Sequence, residues 1–281
     1  MIECQGKIHE FSGQEAMKRH DLPQNRVLPR KRFGQHFLHD PDIIARIVSA
    51  IDPKPGQIVV EIGPGLGALT GPLLAESEYL HAVELDRDLV ARLAMEYQGR
   101  NLYLHNADAL HFDFSALADR DRPLRIVGNL PYNISTPLLF HLLGQSDHIR
   151  DLHVMLQREV ANRITAQPGS SNYGRLSVMT QWHCLTQKLF DVGPGAFKPP
   201  PRVVSSVVRL TIRTTTPAEI SDKKNLERLV AQAFSHRRKT LRNCLRGWLT
   251  PEQIASAGID PGTRPETLGL AQFANLANRL S

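Results

Sequence analysis

The sequence predicts an open α/β fold, a doubly wound parallel sheet that ends in an antiparallel hairpin and is followed by a small all-helical C-terminal domain. Three observations carry this. From residue 57, short apolar strand-like runs alternate with helix-like ones, the pattern of parallel strands joined by crossover helices. The alternation stops at two strand-like pieces, 187–192 and 203–212, close enough in sequence to pair antiparallel. Beyond residue 213 only helical periodicity remains.

Residues 1–30 are polar and aperiodic, which predicts a disordered extension, with Met17 as a second candidate start. From Pro41, the side chains Ile43, Ile44, Ile47, Val48 and Ile51 share one helical face, and Asp52-Pro53 closes that helix. QIVVEIG (57–63) reads as a buried strand and 66–75 as a helix. YLHAVEL (79–85) is a strand, 86–97 a helix, NLYLHNAD (101–108) a third strand and RIVGNL (125–130) a fourth. A helix over 136–143, a fifth strand LHVMLQ (152–157) and helical stretches to about Cys184 follow. GPGAFKPPPR joins the two hairpin pieces, and TTTPAE (214–219) leads to helices over 225–234, 251–257 and 265–280 with a basic segment between the first two. The expected division is a 1–30 extension, a 31–213 ligand-binding domain and a 214–281 helical domain.

The chain has 281 residues, 41% apolar and 22% charged, an ordinary globular composition. No apolar run reaches the length of a membrane span and the N-terminus has no secretory core. Cys4, Cys184 and Cys244 are isolated, which predicts neither a disulfide framework nor a zinc site and suits a reducing, cytoplasmic setting. The 12 histidines form no metal-ligand spacing, so no metal is expected. Charge is concentrated rather than spread. Residues 17–32 carry Lys18, Arg19, Arg26, Arg30, Lys31 and Arg32 against Asp21 alone. Residues 235–247 carry Arg237, Arg238, Lys239, Arg242 and Arg246 with no acid. Each stretch nets +5 in a chain that nets +6, leaving −4 for the remainder. Concentrated positive charge on a mildly acidic body is the footprint of a polyanion binder, although two solvated surface stretches would look the same.

Chemistry gathers at the strand ends, where open α/β sheets bind ligands. The first strand runs into Gly63-Pro64-Gly65-Leu66-Gly67, where glycines let the backbone approach a ligand. Gly63, Gly65 and Ala68 alone also fit a dinucleotide fingerprint. Glu61 favours another ligand, since an ionised carboxylate would repel a pyrophosphate and tolerate a cationic sulfonium. Glu84 ends the second strand 21 residues after Gly63, placed to hold both hydroxyls of a ribose. Asn106-Ala107-Asp108 ends the third, placed to grip an adenine amine. Any one of these acids alone is also an ordinary helix cap or first-turn acid. The fourth strand ends in Gly128-Asn129-Leu130-Pro131-Tyr132, and a turn has no need of the tyrosine.

EIGPGLG, VELD and NAD resemble the cofactor elements of class I S-adenosylmethionine-dependent methyltransferases, which have a Rossmann-like sheet. NLPY is similar to the motif of those that methylate amino groups conjugated to a ring or carbonyl. More closely, KRFGQHFL (31–38), GNLPYNISTPLLF (128–140), LQREVANR, YGRLSV, AFKPPPRVVSSVVRL (196–210) and FSHRRKTLRN (234–243) resemble the bacterial small-subunit rRNA adenine-N6,N6-dimethyltransferases, the kasugamycin-sensitivity family. The resemblance covers about residue 31 to the C-terminus and departs at His36, where the family often has Asn. It implies S-adenosylmethionine as methyl donor, S-adenosylhomocysteine as product, and two adjacent adenosines near the 3′ end of small-subunit rRNA as targets, in an assembling subunit. A monomer is expected.

The implied cofactor contacts are His36, Leu38, Gly63, Gly65, Glu84, Asp108 and Asn129. The implied catalytic set is Asn129, Leu130, Pro131, Tyr132 and Phe197. In it the Asn129 amide oxygen and the Leu130 carbonyl accept from the adenine N6 hydrogens. Pro131 fixes that carbonyl, and Tyr132 and Phe197 sandwich the base. Lys31, Arg32, Arg237, Arg238, Lys239 and Arg242 are the expected RNA contacts. The basic segment reads as a helix with Phe234, Leu241, Leu245 and Trp248 inward and its cations outward. A DNA adenine or protein amide methyltransferase, a nicotinamide-dependent oxidoreductase and a non-catalytic ribosome-assembly or transcription factor remain as alternatives at this point.

Overall fold

The computed structural model describes residues 35–280 apart from Arg120, Asp121 and Arg237. Lys31, Arg32, Arg237 and the 1–30 extension therefore lie outside the described residues.

The chain enters through a two-residue strand, β1 (Phe37–Leu38), and helix α1 (Pro41–Ile51). Asp40 caps α1 by accepting from the Asp42 and Ile43 N–H groups, and a left-handed Asp52 ends it. Then come β2 (Ile58–Ile62), α2 (Thr70–Glu76), β3 (Leu80–Glu84), α3 (Arg87–Glu96), β4 (Leu102–Asn106), β5 (Leu124–Asn129), α4 (Ser135–Leu143) and β6 (Ile149–Gln157). Helices α5 (Arg158–Ile164) and α6 (Arg175–His183) lead to β7 (Cys184–Val192), β8 (Phe197–Lys198) and β9 (Ser205–Ile212). The rest is helical, with α7 (Lys223–Ala233), α8 (Leu241–Cys244), α9 (Pro251–Ser256) and α10 (Leu270–Ala277).

One sheet has the order β4-β3-β2-β5-β6-β9-β7. Strands β2 to β6 pair in parallel, while β9 runs antiparallel to both β6 and β7. The expected hairpin is thus present, with its second strand inserted between its first and the parallel sheet. Strand order reverses between β2 and β5, so the loops after these two strands flank the crevice where such sheets take ligands. A β-carbon on Gly128 would collide with the Ile62 carbonyl oxygen, so only glycine lets β5 lie this close to β2.

Two apolar layers cover the sheet. Ile126, Leu138, Leu142, Val154 and Leu210 belong to one, and Ile47, Val59, Leu73, Met155 and Val207 to the other. A buried ion pair between Arg125 Nε and Asp151 Oδ1 at 3.0 Å crosses from β5 to β6. The same guanidinium donates to the Ile51 and Asp52 carbonyls and to Gln57. Full pairing is what makes a buried arginine tolerable, and here it ties the end of α1 to the sheet. A third apolar cluster joins α6, through Val178, Met179 and Trp182, to α7 and α10. Helix α6 lies before the expected 213/214 boundary, yet it packs into the core of the helical unit.

The basic segment differs from expectation. Residues 234–236, 238 and 239 are turns and bends, and only Leu241–Cys244 is helical among the described residues of the segment. Ser235 and Thr240 favour turns by bonding their own backbone region, and Ser235 Oγ does so to the Gln232 carbonyl. The expected inside and outside survive without the helix. Leu241 and Leu245 are buried, Phe234 and Trp248 half-buried, and Arg238, Lys239, Arg242 and Arg246 exposed.

Candidate active site

The loop after β2 carries Gly63, Gly65 and Gly67 at φ values of +66°, +60° and +85°, a left-handed run that glycine alone adopts without strain. It delays the helix expected from residue 66, which starts only at Thr70. The loop opens a cavity of about 280 Å³ whose walls include His36, Leu38, Gly63, Gly65, Glu84, Asp108, Asn129, Leu130, Pro131 and Tyr132. Eleven distinct residues make up the expected cofactor and catalytic sets, and the structure brings all of them except Phe197 around this one space.

Glu84 is only 8% exposed. Its Oε1 accepts from the Asp86 N–H at 2.9 Å and its Oε2 from the Gly65 N–H at 3.2 Å. Burial raises its pKa, and these two backbone donors work against that rise. A carboxylate has about four acceptor positions, so lone pairs remain for a diol, and the ligand site and the glycine loop share one anchor. Glu84→Ala is expected to weaken cofactor binding by about 1.5–3 kcal/mol, the range for a charged acceptor. Calorimetry giving wild-type affinity would refute this role.

Glu61 corrects the picture of a plain anion beside the loop. It is 2% exposed, and its Oε2 accepts from Thr70 Oγ1 at 2.6 Å. Burial pushes its pKa up to about 7, the Thr70 bond offsets part of that, and the nearby Glu84 adds to it. Near neutral pH the carboxyl is therefore divided between its two protonation states. A cation in the cavity would favour the ionised one.

Asp108 accepts from the Leu110 N–H at 2.9 Å and faces His111 Nδ1 at 3.1 Å. Asn106, by contrast, spends its amide on the Glu84 and Leu85 carbonyls, holding the strand ends together. At β5, Asn129 Nδ2 donates to the His36 carbonyl at 3.0 Å. That bond fixes which end of the amide points where, leaving Oδ1 as the acceptor. Leu130 donates its N–H to the Met155 carbonyl, which fastens the turn to β6.

The ring that meets Tyr132 is His36, with centroids 5.7 Å apart and planes inclined by 27°. His36 Nδ1 is also bonded to the Pro199 carbonyl at 2.8 Å. The Tyr132 hydroxyl pairs with Ser205 Oγ at 2.6 Å. Phe197 is placed differently from the expected sandwich. It is 2% exposed and packs with Leu38, Val192, Ala196 and Val207. Its strand β8 pairs with β1, setting Leu38 opposite Phe197, so its ring is committed to the core beneath the β1–β8 pair rather than to the cavity.

Among the further wall residues are Phe37, in the FGQHFL segment, and Leu85, which is in neither expected contact set. A β-carbon on Gly65 would lie 3.1 Å from the Phe37 ring, so Phe37 closes over the glycine loop. Leu85 lines the cavity and is 49% exposed. An apolar residue straight after a strand-end acid has no folding reason, and that was its available signal. Among the described residues no group of three or more metal-ligating side chains converges. Arg238, Lys239 and Arg242 are exposed and make no ion pair among the described residues.

Residues 27–281 match the family model described as ribosomal RNA adenine dimethylase. The chain is 56% identical over 255 residues to Ribosomal RNA small subunit methyltransferase A of Laribacter hongkongensis, covering 91% of this chain and 97% of that one. Among solved structures it resembles a dimethyladenosine transferase from Plasmodium falciparum with a TM-score of 0.71 at 26% identity, over 86% of this chain and 96% of the other. It also resembles the 23S rRNA methyltransferase ErmE with a TM-score of 0.69 at 27% identity, over 87% and 99%.

Proposed function

The chain belongs to the ribosomal RNA adenine dimethylase family, and we propose that this rRNA adenine dimethyltransferase converts two adjacent adenosines near the 3′ end of small-subunit rRNA to N6,N6-dimethyladenosine, with S-adenosylmethionine as donor. The observation that carries the reading is the Asn129 amide, held by the His36 carbonyl so that its oxygen serves as acceptor at the switch point of the sheet. A buried carboxylate with spare acceptor positions beside a glycine loop fits a nucleoside donor. Bound there, S-adenosylmethionine supplies an electrophilic methyl group and is left as S-adenosylhomocysteine.

The adenine amine is a weak nucleophile because its lone pair is delocalised into the ring. Asn129 Oδ1 and the Leu130 carbonyl accept from its two hydrogens, favouring a more pyramidal nitrogen. Pro131 keeps that carbonyl aimed, and Tyr132 offers a stacking face to the extruded base. No side chain need remove a proton before attack, so catalysis rests on alignment and electrostatics. The product amine then releases its proton to water.

Unmethylated small subunits incubated with methyl-labelled donor should yield label in N6,N6-dimethyladenosine on nucleoside digestion. Label in cytidine, or in DNA or protein supplied as competitors, would reject the proposal. Tyr132→Ala should cost about 1–3 kcal/mol in RNA methylation, the value of a base stack, with cofactor affinity nearly intact. A collapse of cofactor binding first would assign the ring to the donor pocket. Arg238 and Lys239 serve as phosphate contacts in this reading. Neutralising both should lower the slope of log K against log salt by about 0.7–0.9 for each lost contact, and an unchanged slope with intact folding makes them solvated surface. The same reading makes the protein a cytoplasmic monomer acting within an assembling subunit. No helix among the described residues is long and apolar enough to cross a membrane.

A further inference from the structure

The helical unit holds a second cavity, of about 650 Å³, at the turn between α8 and α9. Trp248, Leu249 and Pro251 are its apolar lining residues, and Arg242 and Arg246 stand on its wall. Both arginines are exposed, and neither makes an ion pair among the described residues. A third cation, Arg228, lies over the Trp248 ring with its Cζ 5.2 Å from the centroid. Glu252, the acid nearest in sequence, is engaged at the start of α9 with Thr250. Arg228 takes one face of the ring, and the other, beside the unpaired Arg242 and Arg246, suits a planar base carrying phosphates. Trp182, the chain's other tryptophan, is only 3% exposed and belongs to the apolar core, whereas Trp248 is half-buried and lines this pocket.

We propose that this pocket captures one unpaired nucleotide of the RNA, its base against the Trp248 indole and its flanking phosphates on Arg242 and Arg246. The proposal rests on the rRNA reading above and adds a site separate from the methyl-accepting cavity. A paired duplex cannot use it, because its bases are stacked and their faces covered. The pocket thereby selects RNA that presents a splayed nucleotide at a set distance from the target adenosines.

The test uses the full chain with Trp182→Phe, which leaves Trp248 as the sole indole. Single-stranded RNA oligonucleotides should quench its fluorescence, and a blunt RNA duplex of equal length should not. Trp248→Leu in the otherwise native chain should weaken single-strand binding about 5- to 150-fold, as expected for one lost base stack, and leave duplex binding unchanged. This second variant keeps the test decisive if Trp182→Phe disturbs the core. If RNA binds while Trp248 stays unquenched and Trp248→Leu binds like wild type, the pocket is not a nucleotide site, and the methyltransferase reading stands. If neither RNA form binds and small subunits receive no label, the underlying reading fails and the inference falls with it.

Discussion

Asn129→Ala is expected to slow methyl transfer by about 10²–10³-fold, the usual consequence of removing one preorganised polar group that acts on charge developing in a transition state. The amide has two tasks. Its nitrogen holds the His36 carbonyl at 3.0 Å, and in the proposed mechanism its oxygen accepts from the adenine amine. Alanine abolishes both, so the entry segment loses an anchor as the amine loses an acceptor. Asn129→Asp separates them, since a carboxylate keeps the acceptor but cannot donate to His36. Single-turnover rates at saturating donor and RNA are the measurement, with Asp expected between wild type and Ala. An Asn129→Ala rate within threefold of wild type would remove this residue from the catalytic set.

Phe197→Ala is expected to cost about 3–5 kcal/mol of folding stability, the range for deleting a buried phenylalanine. The ring is 2% exposed and shares its cluster with Leu38, Val192, Ala196 and Val207. Its loss should also loosen the β1–β8 pairing that carries His36 and Phe37 to the cavity. Methylation should therefore fall together with stability. Denaturant unfolding of wild type and variant decides the matter. Unchanged stability with lost methylation and intact cofactor binding would restore the base sandwich that the sequence suggested.

Much of the site was legible because its signals are local. Glycines in a left-handed run, an acid at a strand end and an amide before a proline are each readable within a few residues. Alternating apolar runs gave the sheet for the same reason, since periodicity records which face a segment buries. The basic segment shows where local reading fails. Its inward and outward residues were identifiable from the periodicity, but helix formation was not, because side-chain bonds to the backbone compete with the helix there.

By itself, then, the sequence determined the α/β class, the place of the glycine loop, of Glu84 and of Asn129 at strand ends, and the clustering of cations after residue 234. Tertiary structure alone decided which groups meet. Asn129 finds the His36 carbonyl across 93 residues and Tyr132 finds Ser205 across 73. Phe197 is drawn into the core because β8 pairs with β1, so the ring beside Tyr132 is His36. Glu61 titrates near neutrality because the folded sheet excludes water from it, and α6 joins the helical core across the expected boundary. Each of these depends on the distance between residues far apart in the chain, a quantity that composition and periodicity do not contain and that close packing of the folded core imposes.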